Sequence, residues 1–347
     1  MDTNLDIQIE EALKAYRASG VEDQVDYQKF YLYSIVTHST AIEGSTVTEV
    51  ENQLLFDEGI VAKGRSLTEQ MMNVDLKDAY LYAFKIATGN PTYTPPLLQQ
   101  LSALVMRRTG SEYSTIAGHF DSSKGDFRLC NVSAGIGGRS YLAYNKVRRA
   151  VDDFCRWLNE AIGKADKTNI AACYRLSFEA HFRLVTIHPW VDGNGRTTRL
   201  VMNMIQRQLG LVPSIVRQED KVEYIQSLVD SRENDDSTIA QDVMLRHHIA
   251  NLNCRVSQYQ GNDTVNTQCV AVYDTVKPNN DTVTGLKKSL QKVYLAIKSN
   301  HKITHSEIME TLHISESTAK RATRDLKKLG YIAREGSDKT GRWVILK

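Results

Sequence analysis

Apolar positions recur at helical spacing from about Leu5 to Ile86. Leu32, Ile35 and Val36 fall at i, i+3 and i+4, and Met71, Val74, Leu81 and Phe84 carry the pattern over later turns. Thr88-Gly89-Asn90-Pro91-Thr92-Tyr93-Thr94-Pro95-Pro96 breaks it, joining a helix C-cap signal to prolines that cannot continue a helix. A second unit opens at Leu97 with LLQQLSALVMRR. Residues 118–143 are the least helical part of that unit: five glycines surround the alternating run Phe127–Val132, which predicts a β-hairpin or flap. Helical spacing resumes at about Asn145, from Ile170 to Thr186, and from Arg196 to Leu209, where Gly210 suits a C-cap. Shorter helices are expected near Val222–Val229 and Ile239–Asn251.

Residues 257–284 lose this periodicity and gain Asn, Asp, Thr and Gly, the composition of a linker, with a short strand expected at Gln268–Tyr273. Beyond it the order is helix (Leu286–Ser299, with Leu290, Val293, Tyr294 and Ile297 on one face), short helix (Thr304 or His305 to His313) and longer helix (Glu316–Leu329, capped by Ser315). Two strands, Tyr331–Arg334 and Arg342–Leu346, then flank a turn at Glu335–Gly341. This order resembles the winged helix-turn-helix. Lys320, Arg321, Arg324, Lys327 and Lys328 crowd the third helix, the one such domains place in the major groove. Ser317 and Thr318 near its start are candidates for base edges, the cations for phosphates.

Composition sharpens the division. The 347 residues are 41% apolar and 24% charged, ordinary for a globular protein, and no apolar run approaches a membrane span. Residues 285–347 carry 14 Lys and Arg against 6 Asp and Glu, while the remainder carries 29 against 35. A basic tail on an acidic body implies two modules with different partners. Five cysteines without a CxxC pair read as reduced thiols of a cytosolic protein, and the acidic, helix-like N-terminus does not read as a secretory signal.

The chemistry concentrates in His188-Pro189-Trp190-Val191-Asp192-Gly193-Asn194-Gly195-Arg196-Thr197-Thr198-Arg199. A helix should end before Pro189, and a new one should begin with Arg196. Between them Gly193-Asn194-Gly195 can turn successive backbone N–H groups into one anion nest, to which the new helix adds its own unpaired N–H groups. Arg196 and Arg199, three apart, present two guanidinium forks. Asp192 can hold Mg²⁺, which takes one or two carboxylates plus phosphates, and His188 has the pKa class of a general base.

This stretch resembles the signature HxFx(D/E)GNGRxxR of Fic-domain proteins, which transfer AMP from ATP onto protein hydroxyls; Trp190 stands where Phe is usual. The order of elements over residues 97–250 follows the same family. The resemblance implies a mainly α fold, a helical Fic domain with a small β-hairpin flap, followed here by the winged helix. It implies His188 as the base that deprotonates the target hydroxyl, Asp192 as the Mg²⁺ ligand, Asn194 and Gly195 around the α-phosphate, Arg196 on the β-phosphate and Arg199 on the γ-phosphate. Gly193, Thr197 and Thr198 complete the ATP loop, with Tyr224 and Arg232 on the adenine side. Asn131, Val132, Ser133, Ala134 and Gly135 match the flap that docks the target as an added strand.

Ser39-Thr40-Ala41-Ile42-Glu43-Gly44 matches (S/T)xxxE(G/N), the inhibitory-helix motif of a Fic subclass, through Ser39, Glu43 and Gly44. A carboxylate against Arg199 would occupy the place of the γ-phosphate. The expected organisation is therefore an N-terminal region carrying this helix (1–96), a catalytic domain (97–256), a linker (257–284) and a winged helix (285–347). The expected activity is an autoinhibited protein adenylyltransferase using ATP and Mg²⁺ on a hydroxyl of a protein target, with DNA as a second partner and no membrane. Removal of AMP, transfer of another phosphate-bearing group, a nucleotide-sensing DNA-binding regulator, and the oligomeric state, a homo-oligomer included, stay open from sequence.

Overall fold

The computed structural model describes residues 3–134, 140–260, 290, 293–294, 296–297, 303–312, 316–335 and 342–345. The chain divides into two compact units, Met1–Tyr273 and Asp274–Lys347.

The first unit is helical: α1 Thr3–Ala18, α2 Tyr27–Ile42, α3 Glu49–Glu58, α4 Leu67–Ala87, α5 Pro95–Val105, α6 Tyr144–Lys164, α7 Ile170–Ile187, α8 Asn194–Gln208, α9 Lys221–Glu233 and α10 Thr238–Tyr259. Local chemistry sets their ends. Thr48 with Glu51 and Ser66 with Glu69 form capping boxes on α3 and α4, and Thr94 caps α5 just ahead of its two prolines. The N-terminal pattern is thus four helices, interrupted at Gly20–Asp26, at Glu43–Thr48 and at Gly59–Ser66.

α8 is the axis of the unit and packs against α7, α4 and α5. Every residue from Arg196 to Gln206 is buried, so its polar side chains must find partners inside. Asn203 donates to the Tyr80 hydroxyl and accepts from Ser214 N, while Gln206 donates to Ser177 and Ser214. Leu200, Val201, Met202, Met204 and Ile205 are fully buried, each worth about 1.5–3 kcal/mol of transfer free energy. On α6, Val147, Val151, Phe154, Cys155 and Leu158 form the buried stripe its spacing predicts.

Three expectations need correction. The buried face of α4 is Leu76, Ala79, Tyr80, Ala83 and Ala87, whereas Leu81 is exposed and Met71, Val74 and Phe84 are only partly buried; small residues let α4 approach α8 closely, and bulk misleads the pattern. The hairpin lies upstream, as β1 Glu112–Thr115 paired antiparallel with β2 Gly118–Asp121, while Phe127–Val132 is irregular because buried Arg128 binds carbonyls there in place of a ladder. α10 runs on through Tyr259, into the expected linker. Gln268–Tyr273 lies outside the described residues. Among the described residues no helix is long and apolar enough to cross a membrane.

In the second unit, α11 (His305–Leu312), α12 (Glu316–Lys328) and the antiparallel pair β3 (Ile332–Glu335) and β4 (Arg342–Ile345) form a winged helix-turn-helix. Leu290, Val293, Tyr294 and Ile297 are helical and join Ile308, Ala319, Leu326, Ile332 and Trp343 in its core. Thr304 and Glu307 cap α11 reciprocally. Ser315 and the wing turn 336–341 lie outside the described residues.

His248 on α10 is buried against the Tyr174 ring, centroids 4.6 Å apart, and neither ring nitrogen has a hydrogen-bond partner among the described residues. Burial pushes its pKa down to about 3. Between pH 6.5 and 3 the unfolded chain therefore binds a proton that the folded chain refuses, so stability falls as pH falls. His248→Phe should lose less stability than the parent between pH 7 and pH 5, by on the order of 1 kcal/mol per pH unit below 6.5, measured by urea unfolding.

Candidate active site

Pro189 ends α7, and its last residue turns sharply: His188 adopts a left-handed conformation (φ 53°) and closes the helix through His188 N to Leu184 O. Such a backbone in a non-glycine residue costs on the order of 1 kcal/mol and needs outside support. Arg128 supplies it. Its Nε donates to the His188 carbonyl at 2.8 Å, its other nitrogens hold the carbonyls of Cys130 and Leu142, and its own N–H donates to Pro189 O. One buried guanidinium thereby ties the histidine to both arms of the flap. Tyr141, on the returning arm, stacks on the His188 ring at 3.8 Å, and Arg232 lies 5.2 Å from the Tyr141 ring.

His188 Nδ1 lies 3.3 Å from the Val185 carbonyl, which can only accept, so Nδ1 carries the proton and Nε2 keeps its lone pair. Burial, with Arg128 and Arg232 nearby, pushes the pKa down to about 4 against the opposing Val185 carbonyl. The ring is a neutral base at neutral pH.

Trp190 anchors the loop, its indole donating to Gly125 O at 3.0 Å, which accommodates the larger aromatic. Gly125 itself packs on the backbone of α5, where a Cβ would meet Gln99 O at 1.9 Å. Asn194 is committed to the loop: its side chain accepts from Trp190 N and donates to Trp190 O. It can offer an anion only its backbone N–H, a narrower role than the sequence implied. Gly193 (φ 76°) starts α8, and Asp192 accepts from Gly193 N at 2.6 Å. Asn194, Gly195 and Arg196 begin the helix, where N–H groups have no carbonyl four residues back.

Arg196 is only 4% exposed, and its Nε and Nη1 have no hydrogen-bond partner among the described residues; Nη2 rests on Met106 Sδ at 3.2 Å. Burial lowers its pKa, with Asp192 opposing. Arg199, equally buried, is held through two of its nitrogens. Its Nε donates to Ser39 Oγ (2.9 Å), and Nη2 donates to Ser39 O (2.9 Å) and Glu43 Oε1 (2.6 Å). The Tyr224 hydroxyl meets His181 Nε2 at 2.8 Å. Burial works to raise the Glu43 pKa, but the Arg199 guanidinium outweighs it and holds the carboxyl below its usual range. A Cβ on Gly195 would fall 2.2 Å from Glu43 Oε1, so the carboxylate rests directly on the glycine turn.

A cavity of about 320 Å³ opens beside this point, lined by Glu43, Tyr141, His188, Gly195, Arg199, Tyr224 and Arg232 among others. With Glu43 in place, Asp192, Gly193, Asn194, Arg196, Thr197 and Thr198 do not line it. Thr197 and Thr198 are fully buried, Thr198 donating to Gly195 O. Gly44 (φ 102°) follows the α2 C-cap Glu43 and turns the chain away. At the flap base Ser133 bridges Ser140 and Tyr141 N donates to Val132 O, while Asn131 accepts from Tyr144 N and Ala134 reaches the cavity. Gly135 lies outside the described residues. In the second unit Lys320, Arg321 and Arg324 are exposed on α12 and Thr318 is half-buried; Ser317 lies on the same helix.

The Fic/DOC family model matches residues 92–206, and a winged helix-turn-helix DNA-binding model matches residues 286–333. The chain is a Fic-domain protein. It is 28% identical over 229 residues to protein adenylyltransferase Fic of Drosophila erecta, covering 65% of this chain and 42% of that one. Against the protein of the same name from Drosophila melanogaster it is 29% identical over 204 residues, 58% and 37% of the two chains. It thus spans about two fifths of the length of these curated relatives. In fold, it resembles a Fic-domain signaling protein of Bacteroides thetaiotaomicron (TM-score 0.59, 17% identity, 73% of this chain and 97% of that one). A Fic family protein of Desulfovibrio desulfuricans aligns over 99% of this chain and 95% of its own (TM-score 0.58, 19% identity).

Sequence reasoning missed four residues of this Fic domain: Arg128, Tyr141, His181 and Met106. Arg128 carried a signal, a charge amid the apolar run Phe127-Arg128-Leu129; Tyr141 and Met106 are visible only once the flap and α5 fold over the loop, and His181 only once α7 meets Tyr224 of α9. The Tyr141 stack makes a direct prediction. In a histidine NMR titration His188 should stay neutral down to about pH 4, and Tyr141→Ala should shift its midpoint up toward the ordinary 6.5 by admitting water.

Proposed function

We propose that this Fic-domain protein is an autoinhibited adenylyltransferase that moves AMP from ATP onto a Ser, Thr or Tyr hydroxyl of a protein target and releases pyrophosphate. The observation that carries the reading is the Glu43 carboxylate, held by Arg199 on the Gly195 turn beside a buried Arg196 whose Nε and Nη1 are unpartnered among the described residues. Two guanidiniums and a helix N-terminus converging on one turn suit a polyphosphate, and a carboxylate already seated there imitates one of its groups. The relatives named protein adenylyltransferase Fic support the same chemistry.

In this reading His188 Nε2 takes the proton of the target hydroxyl, whose oxygen attacks the α-phosphorus as the bond to pyrophosphate breaks. The backbone N–H groups of Gly195 and its neighbours receive the α-phosphate, and Arg196 takes the β-phosphate. Arg199 takes the γ-phosphate once Glu43 leaves. Tyr224, Arg232 and Tyr141 line the cavity together with Arg199. Asp192, 62% exposed at the loop's mouth, fits a Mg²⁺ that draws its other ligands from phosphates and water. The metal would neutralise developing pyrophosphate charge. The flap base, with its paired arms at Val132–Ser133 and Ser140–Tyr141, suits docking of the target as an added strand.

A second reading, removal of AMP with Glu43 orienting the water, draws on the same carboxylate, which is one-third exposed to the cavity. Loss of label from an AMP-modified protein in the parent, abolished by Glu43→Gly, would favour it.

With α-labelled ATP the parent should label proteins poorly, Glu43→Gly strongly, and Glu43→Gly/His188→Ala lower than Glu43→Gly by ~10²–10⁴-fold. EDTA should silence the active variant. Equal labelling by parent and Glu43→Gly would remove the inhibitory role while leaving the catalytic one.

We also propose that the winged helix binds duplex DNA through α12, on which Lys320, Arg321, Arg324, Lys327 and Lys328 are exposed. Binding should be lost when residues 286–347 are deleted and should weaken steeply between 50 and 200 mM salt, roughly 10³-fold for six phosphate contacts. A mobility shift in the full chain that the deletion leaves unchanged would contradict this.

A further inference from the structure

Glu43 is the C-cap residue of α2, and backbone bonds close the helix end around it: Glu43 N to Thr40 O at 3.0 Å, Gly44 N to Ala41 O at 3.1 Å and Ser45 N to Thr40 O at 3.1 Å. Gly44 behind it has nothing within 4 Å of where a Cβ would stand. These bonds shape the turn, and a second set of bonds ties that turn to α4.

The chain on both sides of Glu43 converges on one buried amide, Asn73 of α4. Its Nδ2 donates to the Glu69 carbonyl at 2.8 Å; a carbonyl can only accept, which fixes the amide's orientation. The same Nδ2 donates to Ser45 Oγ at 3.1 Å, two residues after Glu43. Its Oδ1 accepts from Thr40 Oγ1 at 2.7 Å, three residues before Glu43, and from Asn52 Nδ2 at 2.8 Å. Asn52 in turn donates to Thr37 Oγ1 at 2.7 Å, one helical turn earlier on α2. Asn52, Asn73, Thr40 and Ser45 are all buried. One turn away on α4, Glu69 accepts from both the N–H and the hydroxyl of Thr46, at 2.8 and 2.7 Å, and these bonds pull its pKa down to about 2.

We infer that Asn73 is the positioning residue for the inhibitory carboxylate: it clamps Thr40 and Ser45 on either side of Glu43, so that Glu43 is delivered to Arg199 by α4 rather than by α2 alone. The inference rests on the inhibitory reading of Glu43 above. All four hydrogen-bonding positions of the amide are in use, so no apolar side chain can replace it without releasing the segment. A buried polar network of this kind gives one geometry or another rather than a graded series, which suits a carboxylate that must be either on Arg199 or off it.

The test compares four full-length chains with α-labelled ATP: parent, Asn73→Leu, Glu43→Gly and the double variant. Labelling by Asn73→Leu should rise several-fold toward the Glu43→Gly level, and the double variant should label no more than Glu43→Gly alone. Hydrogen exchange of amides 40–46 should quicken in Asn73→Leu while that of α8 stays unchanged. A merely structural amide would lower labelling in both backgrounds. Parent-level labelling by folded Asn73→Leu, with Glu43→Gly active, overturns the inference and spares the inhibitory reading; no rise in either overturns both. Should Asn73→Leu not fold, Thr40→Val removes one hydroxyl from the clamp, and its labelling should rise only where Glu43 is present; labelling at the parent level overturns the inference in that case too.

Discussion

A guanidinium buried as deeply as that of Arg199 must have its charge answered, and where Arg128 uses backbone carbonyls, Arg199 uses a negative partner. Leaving such a charge inside without one costs about 3–5 kcal/mol. Arg199 projects from the middle of a helix that is buried on every side, so it cannot relax into water. Its surroundings admit two partners, a carboxylate or a phosphate. The Glu43 carboxylate is the one present, seated on the turn where a nucleotide phosphate would approach. In the proposed scheme inhibition and catalysis are therefore alternative ways of satisfying one buried charge, and the competition between them is electrostatic before it is steric.

The same reasoning separates the two arginines of the loop. Arg199 is held by Ser39 and Glu43 through Nε and Nη2, whereas Arg196 keeps two nitrogens without partners among the described residues, an expensive state in a folded protein. A site built for an anion tolerates this because binding removes the penalty. His188 shows a related economy of means: Arg128, Tyr141 and Pro189 fix a left-handed residue whose ring is desolvated enough to stay a base at neutral pH.

Much of this was legible in the chain, because the catalytic loop is local. His188 through Arg199 are contiguous, and the physical chemistry of Gly-Asn-Gly followed by a helix start does not depend on distant residues. The contact of Glu43 with Arg199 spans 156 positions, yet a short motif pointed to it. What stayed hidden was relational. Tyr141 reaches His188 only because the flap folds back, and Asn73 looks like any polar helix residue until α2, α3 and α4 are packed. Asn194 was expected at the phosphate, but its amide closes the loop on Trp190, a use that the motif alone does not reveal. The face of α4 was misread because three alanines share its contact with the core with Leu76 and Tyr80.

The central claim, that Glu43 and the γ-phosphate compete for Arg199, is tested most directly by crystal structures of the parent and of Glu43→Gly, each with Mg²⁺ and a non-hydrolysable ATP analogue. The variant should show the γ-phosphate hydrogen-bonded to Arg199, and the parent should keep Glu43 on Arg199 with the triphosphate displaced. A parent structure with Glu43 still in place and the γ-phosphate on Arg199 would contradict the claim.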